Sequence, residues 1–456
     1  MAMETGTPDD TIVAVASAPG MGALAVVRLS GLRAHDIAAC VVRDGLEKAR
    51  RAVRRKLVDA FDSPVDDGIV IRYDAPRSYT GEDSVEIVCH GGAVTPARVM
   101  AALVSAGARP AVPGEFTRRA VLNGKLDVLQ AEAVNDLIRA ESSAGAALAL
   151  EQLDGALSRR LDALRQQILD LEALIAYEID FPEEDDGPMD AGRVTAATDA
   201  VIGAITRLIE TAPRGELVRT GALVVIAGAP NVGKSSLFNA VLGRRRALVT
   251  DIPGTTRDAL EAVVDATPIP LRLVDTAGLR ETMDVVEQLG VGMAREYLER
   301  AQLVLACGDS SAAVRQAMDA VGRLSEAPVL AVRTKADLDV VRTDADDAPV
   351  GTLRVSAQTG EGIDALIQRA SRLVLDSTGP ATEEMPVVAH ARYRKALEDA
   401  RSELRHFTEA RAGGAVPAPV SAVHLRESAR HLEGLIGAID VEDVLERLFS
   451  TFCVGK

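Results

Sequence analysis

LVVIAGAPNVGKSSLFNAVLG, residues 223–243, decides how the centre of this chain folds. An apolar run of strand composition leads into G-x-x-x-x-G-K-S, and an amphipathic helical pattern follows. Phosphate binding needs that order. Gly228 and Gly233 let a loop turn its N–H groups onto phosphate oxygens, and the helix N-terminus adds its dipole. Lys234 supplies a point charge to the β/γ-phosphates, and Ser235 a hydroxyl to Mg²⁺. A chance glycine-rich turn would not need the strand before it and the helix after it.

Three further motifs follow in order. LRLVDTAG (271–278) is a strand ending in D-x-x-G, where Asp275 would hold Mg²⁺ through water and Gly278 would offer its N–H to the γ-phosphate. VLAVRTKAD (329–337) ends in T-K-x-D. Asp337 can accept hydrogen bonds from the ring N–H and exocyclic amine of guanine, which adenine lacks, and Lys335 can lie along the base. VSAQTG (355–360) places Ser356 and Ala357 where a backbone N–H reaches the guanine carbonyl. Together the four motifs exclude an ATPase and define a domain that binds and hydrolyses GTP, core residues 221–378. The site is assigned to Asn231, Val232, Gly233, Lys234, Ser235 and Ser236; to Thr250, Asp251, Ile252, Pro253, Gly254, Thr255 and Thr256; to Asp275, Thr276, Ala277 and Gly278; to Thr334, Lys335, Ala336 and Asp337; and to Ser356, Ala357 and Gln358.

Two features bear on affinity and hydrolysis. The guanine motif usually opens with an asparagine that ties the base loop to the P-loop, and here it opens with Thr334, whose hydroxyl replaces part of that bridge. Leu279 stands where small signalling GTPases place a water-orienting glutamine, and leucine cannot accept a hydrogen bond from water. Glu281, Asp284 and Glu287 are the acidic candidates for that work. In the switch TDIPGTTRDAL (250–260), Thr256 is the direct Mg²⁺ ligand. Asn231 is either an amide oxygen beside the phosphates or a turn residue suited to unusual φ/ψ. Arg257 is either an internal arginine finger or a solvated switch charge.

A chain of 456 residues exceeds one ordinary core, and 51 Lys+Arg against 67 Asp+Glu give a net charge of −16. That balance argues against a large basic nucleic-acid footprint, so an RNA partner needs a local patch or a helper protein. The 4 cysteines, Cys40, Cys89, Cys307 and Cys453, form no C-x-x-C pair, which suits a reducing cytosol. No signal-peptide pattern or apolar run of about 18 residues is present, and a cytoplasmic protein is expected.

Residues 1–123 read as an α+β domain, with strands in TIVAVAS, ALAVVRLSG, GIVIRYDA and SVEIVCHGG and helices near 34–48 and 96–107. Residues 124–215 switch to helical spacing, broken by the acidic FPEEDDGP at 181–188. Residues 216–379 carry the nucleotide motifs, and helical spacing resumes over 380–456. The expected architecture is α/β plus α: a P-loop GTPase domain inserted into a helical domain whose two halves bury each other's apolar stripes.

The strings PNVGKSSLFNA, TDIPGTTRD, DTAGLRE, SYTGEDSVEI, CHGG, PGEF, LNGKLDVLQAEAV and the terminal FCVGK resemble the MnmE (TrmE) tRNA-modification GTPases over nearly the whole chain. The resemblance implies that Asn231, with main-chain groups of Thr250 and Ile252 and with Thr255, coordinates K⁺ in place of an arginine finger. It implies that Glu287 orients the attacking water through a second water, with Lys234 on the phosphates and Ser235 and Thr256 on Mg²⁺. The N-terminal domain would bind a reduced folate (5,10-methylene- or 5-formyl-tetrahydrofolate) and form a homodimer. Arg28, Glu86, Lys125 and the terminal Lys456 match the folate contacts. Without the family, Arg28 reads as a strand-edge charge, Glu86 as a paired strand acid, and Cys453 as a small buried hydrophobe. Met21 and Val112 stand where relatives often have arginine, which bears on folate affinity.

The implied function is installation of an aminomethyl-type group, commonly carboxymethylaminomethyl, on C5 of the wobble uridine of certain tRNAs. The implied partner is a flavin (FAD) protein of the MnmG (GidA) family, joined as a heterotetramer. Two rivals are a ribosome-assembly GTPase, which should carry a basic RNA-binding module, and a folate-dependent methyltransferase with a regulatory nucleotide domain.

Overall fold

A computed structural model describes residues 10–180, 191–245, 261–275, 295–338, 348–379, 386–412, 416–437, 452 and 455. Contacts group the chain into two units, residues 1–135 with 433–456, and residues 136–432.

The first unit is built on strands β1 (Ile12–Val15), β2 (Leu24–Ser30), β3 (Ala52–Val58), β4 (Pro64–Tyr73), β5 (Ser84–His90) and β6 (Arg109–Pro110), in the order β3-β4-β5-β2-β1-β6. Neighbours are antiparallel except the parallel pair β1–β6. Strand alternation sorts the residues by face. Ala25, Val27, Leu29, Val85, Ile87 and Cys89 are buried in one core with Ile37 of α1 (Ala34–Val41) and Val99 and Leu103 of α2 (Thr95–Ser105). Arg28 and Glu86, paired across β2 and β5, fall on the opposite face. Helix α1 ends at Val41, short of the expected 48, because the chain turns through positive φ at Asp44 and Gly45. β3 carries three consecutive cations, Arg54, Arg55 and Lys56, at the sheet edge. Such charges discourage edge-to-edge pairing and also hide a strand from a hydrophobicity reading.

Helices α3 (Glu115–Leu122) and α4 (Val128–Arg139) follow the sheet. The chain's final segment returns to this unit. Phe452 is buried with Val128 and Ala131 of α4, and Gly455 lies so close to β1 that a Cβ there would sit 2.5 Å from the Val15 carbonyl oxygen.

In the second unit, α5 (Ser143–Leu153), α6 (Ala156–Asp180) and α7 (Ala191–Thr220) precede the nucleotide domain. Its sheet combines β7 (Ala222–Gly228), β8 (Glu261–Val264), β9 (Leu271–Asp275), β10 (Leu303–Gly308), β11 (Val329–Arg333) and β12 (Leu353–Arg354), in the order β12-β11-β10-β7-β9-β8. Only β8–β9 is antiparallel. Helices α8 (Lys234–Arg245), α9 (Ser311–Val321) and α10 (Ile363–Asp376) belong to the same domain, and α11 (Ala391–Ala412) and α12 (Ala418–Ile436) complete the helical part.

The two helical stretches pack together across the inserted domain. Ile205 and Leu208 of α7 and Tyr393, Leu397 and Leu404 of α11 are all buried, and α7 and α11 lie against each other. Just before α11, the Val388 N–H donates to Thr211 Oγ1 at 3.0 Å, and a Cβ on Gly215 would sit 2.0 Å from the Val388 carbonyl oxygen. Only glycine admits that approach.

Candidate functional site

β7 is buried along nearly its whole length and ends at Gly228, where φ is 153°. A Cβ at Gly228 would sit 2.3 Å from the Cys307 carbonyl oxygen of β10, so the first P-loop glycine is fixed by sheet packing as well as by the turn. The loop then needs left-handed backbone at Asn231 (φ 62°) and Gly233 (φ 97°). Asparagine is the side-chain-bearing residue best suited to that conformation. Lys234 opens α8, is 7% exposed, and donates from Nζ to the Ala229 carbonyl oxygen at 2.8 Å. Ser235 and Ser236 are exposed on the first turn of the same helix. Asp275 is buried at the end of β9, in register with Ile226 of β7, so the two motif strands stop near the same level. On the neighbouring strand, burial pushes the Cys307 thiol up to about 12, with the Lys234 charge opposing the rise and that of Asp275 adding to it.

The guanine side is held by side chains reaching between loops. The Thr334 hydroxyl, 3% exposed, is hydrogen-bonded to the Val232 carbonyl oxygen at 2.5 Å, with the Gly308 carbonyl oxygen at 3.2 Å. Lys335, itself at φ 56°, donates to the Asn231 carbonyl oxygen at 2.8 Å and pairs with Asp309 at 3.1 Å. Ser356 donates from Oγ to Asp337 Oδ1 at 2.5 Å, which orients the carboxylate, and the Ala336 N–H donates to the Val355 carbonyl oxygen at 3.1 Å. A cavity of about 560 Å³ is bounded by Gly233, Ser236, Thr334, Lys335, Asp337, Ala357 and Gln358. The P-loop, T-K-x-D and S-A motifs thus meet around one space.

Six contributors fall outside the assigned set. Asp309 anchors Lys335, while Leu237, Asn239, Ala240, Leu338 and Val355 complete the wall. Asp309 had a signal: it directly follows a fully buried strand of a parallel sheet, the edge at which such sheets bind ligands. Thr250, Asp251, Ile252, Pro253, Gly254, Thr255, Thr256, Arg257, Thr276, Ala277, Gly278, Leu279, Glu281, Asp284, Glu287, Cys453 and Lys456 lie outside the described residues.

In the first unit, Arg28 donates from Nε and Nη2 to Glu86 Oε1 at 3.0 and 2.9 Å. Its guanidinium lies 4.9 Å from the Tyr79 ring centroid and 5.7 Å from that of Phe116. Arg28 Nη1 is buried and meets no hydrogen-bond partner among the described residues. The Tyr73 hydroxyl donates to Glu86 Oε2 at 3.3 Å, and burial followed by the Glu86 charge raises its pKa. Lys125 donates to the Pro76 carbonyl oxygen at 3.1 Å. Glu86 and Lys125 line a cavity of about 300 Å³ together with Tyr73, Tyr79, Arg50 and Arg77. Arg28 supports Glu86 from behind that wall, a distinction strand register alone does not make.

The description "MnmE helical domain" matches residues 128–453, and "GTP-binding protein TrmE N-terminus" matches residues 11–125. The chain belongs to the MnmE family of tRNA modification GTPases. An MnmE of Thermus thermophilus is 43% identical, covering 98% of this chain and 99% of the relative. That of Heliobacterium modesticaldum is 41% identical over 98% and 99%, and that of Aquifex aeolicus 39% over 98% and 100%. All three are called "tRNA modification GTPase MnmE". The MnmE likeness therefore runs through both units, and the P-loop domain sits inside the segment matched as the MnmE helical domain.

Proposed function

We propose that this chain is a potassium-activated GTP hydrolase that modifies tRNA together with an FAD protein of the MnmG (GidA) family. The product is an aminomethyl-type group, commonly carboxymethylaminomethyl, on C5 of the wobble uridine of certain tRNAs. The observation that carries the nucleotide half is the convergence of Gly233, Lys335, Asp337 and Ala357 on one cavity large enough for a guanine nucleoside, with Asn231 holding Lys335 and Ser356 holding Asp337. Asp337 accepts from the guanine ring N–H and amine, Lys335 lies along the base, and Lys234 neutralises the β/γ-phosphates. Glu287 orients water where Leu279 cannot.

The oxygen donors of Ser235 and Asp275 suit a hard cation such as Mg²⁺, with Thr256 as the second direct ligand. Asn231, Thr250, Ile252 and Thr255 would hold K⁺. When bound, these ions offset the charge that grows as the β–γ bond breaks.

A reduced folate fits the first unit on two grounds. Glu86, held by Arg28, is a fixed carboxylate able to read a pterin amide edge, and Arg50, Arg77 and Lys125 offer cations to a glutamate tail. Lys456 joins this site in the proposal, and Phe452 and Gly455 of the same tail pack on the first unit. The protein works as a cytoplasmic homodimer. Among the described residues no helix is long and apolar enough to cross a membrane.

Nucleoside mass spectrometry of bulk tRNA from cells with and without the gene tests the proposal. Loss of 5-substituted wobble uridines on deletion is expected. An unchanged uridine profile removes the tRNA role and brings the ribosome-assembly reading forward.

A further inference from the structure

Away from both cavities, the antiparallel hairpin of α11 and α12 gathers two imidazoles and a carboxylate. Glu403 and His406 stand three residues apart on α11 and so share a face. His424 comes to them from α12: its Nδ1 lies 2.7 Å from Glu403 Oε2, and its ring centroid 5.5 Å from that of His406. His406 Nδ1 lies 3.9 Å from Glu403 Oε1, and one ligand atom from each side chain falls within 4.8 Å of the other two. The register between the helices is fixed about one turn away, where the buried Ser428 hydroxyl donates to the Ala400 carbonyl oxygen at 2.9 Å.

We propose that Glu403, His406 and His424 bind a divalent transition-metal ion of the Zn²⁺ class that clasps α11 to α12. Metal–ligand bonds of about 2.0–2.1 Å in a tetrahedron hold ligand atoms roughly 3.3 Å apart. The observed separations bracket that spacing, so side-chain rotation alone closes the site and neither helix has to move. Two nitrogens and one carboxylate oxygen form a borderline donor set that favours Zn²⁺ over Mg²⁺, which demands oxygen ligands in an octahedron. The Glu-x-x-His spacing is one that helical bundles use to project a carboxylate and an imidazole at a common metal. Three protein ligands leave a fourth position for water, and the cluster is open to it: His406 is 50% exposed and His424 33%. None of the three residues lines the nucleotide cavity or belongs to the set assigned to Mg²⁺ and K⁺.

The test uses the full-length protein, stripped with a chelator and saturated with GDP and Mg²⁺. Zn²⁺ is titrated by calorimetry, and Co²⁺ serves as a spectroscopic probe of coordination. The wild type is expected to take up about one equivalent of Zn²⁺, to show the strong visible bands of four-coordinate Co²⁺, and to gain thermal stability with metal. His406→Ala and Glu403→Gln should each weaken binding at least ~10-fold and abolish the metal-dependent shift in melting temperature. Half-exposed His406 contributes little to the core, so its variant should melt without metal where the metal-free wild type does. Equal Zn²⁺ affinity in the wild type and His406→Ala would overturn the proposal, as would no uptake by the wild type at micromolar metal.

Discussion

The Thr334 hydroxyl and the Val232 carbonyl oxygen are joined by a hydrogen bond that spans from the guanine loop to the P-loop. A threonine in place of the asparagine that usually opens the guanine motif therefore keeps the bridge, with one donor reaching two carbonyls at Val232 and Gly308. Thr334→Val keeps the shape and removes the donor. It should weaken GDP binding about 10-fold, on the order of 1.4 kcal/mol, as measured with a fluorescent GDP analogue. Unchanged affinity would mean that the loops are held by Lys335 alone.

Asp337 sets base choice. Asp337→Asn replaces two acceptor oxygens with one acceptor and one donor, which mismatches the guanine amine but matches the 2-carbonyl of xanthine. Competition binding should show a loss of GTP affinity of roughly 100-fold or more and a gain for XTP.

Gly215 is a structural test of how the two helical stretches join. In Gly215→Ala the new Cβ would press on the Val388 carbonyl oxygen, 2.0 Å away, and the Thr211–Val388 hydrogen bond beside it would be displaced. A loss of about 2–3 kcal/mol in urea unfolding is expected. A wild-type midpoint would show that the 387–390 segment can move aside freely.

Cys307 gives a pH signature. Its thiol is held protonated up to about 12 in the folded chain against an ordinary value of 9.0. Between those values the unfolded chain releases a proton that the folded chain retains, so stability is intact below pH 9 and falls as pH rises above it. Other groups titrate there too, and the comparison with Cys307→Ala isolates this one: the variant's unfolding free energy should fall less steeply between about pH 9 and 11. Parallel slopes would sink the prediction.

The nucleotide site was legible because each of its motifs is local. A buried strand and the loop that follows it fall within about ten residues, and phosphate or guanine recognition dictates the residue types. What joins the motifs is not local. Asp309 contacts Lys335, and Thr334 contacts Val232, only because β10 lies between β7 and β11. The edge strand of Arg54, Arg55 and Lys56 hid behind its charges. Arg28 and Glu86 carried the right chemistry in sequence, but only the fold separates the wall of the cavity from its support.

The first unit joins residues 1–135 to 433–456, with the whole second unit between them in sequence. During synthesis, then, the six-stranded sheet is complete early, yet the Val128 and Ala131 surface that Phe452 covers waits until more than three hundred further residues have been made. Synthesis of the segment that carries Phe452, rather than emergence of the sheet, is the event that closes the N-terminal fold.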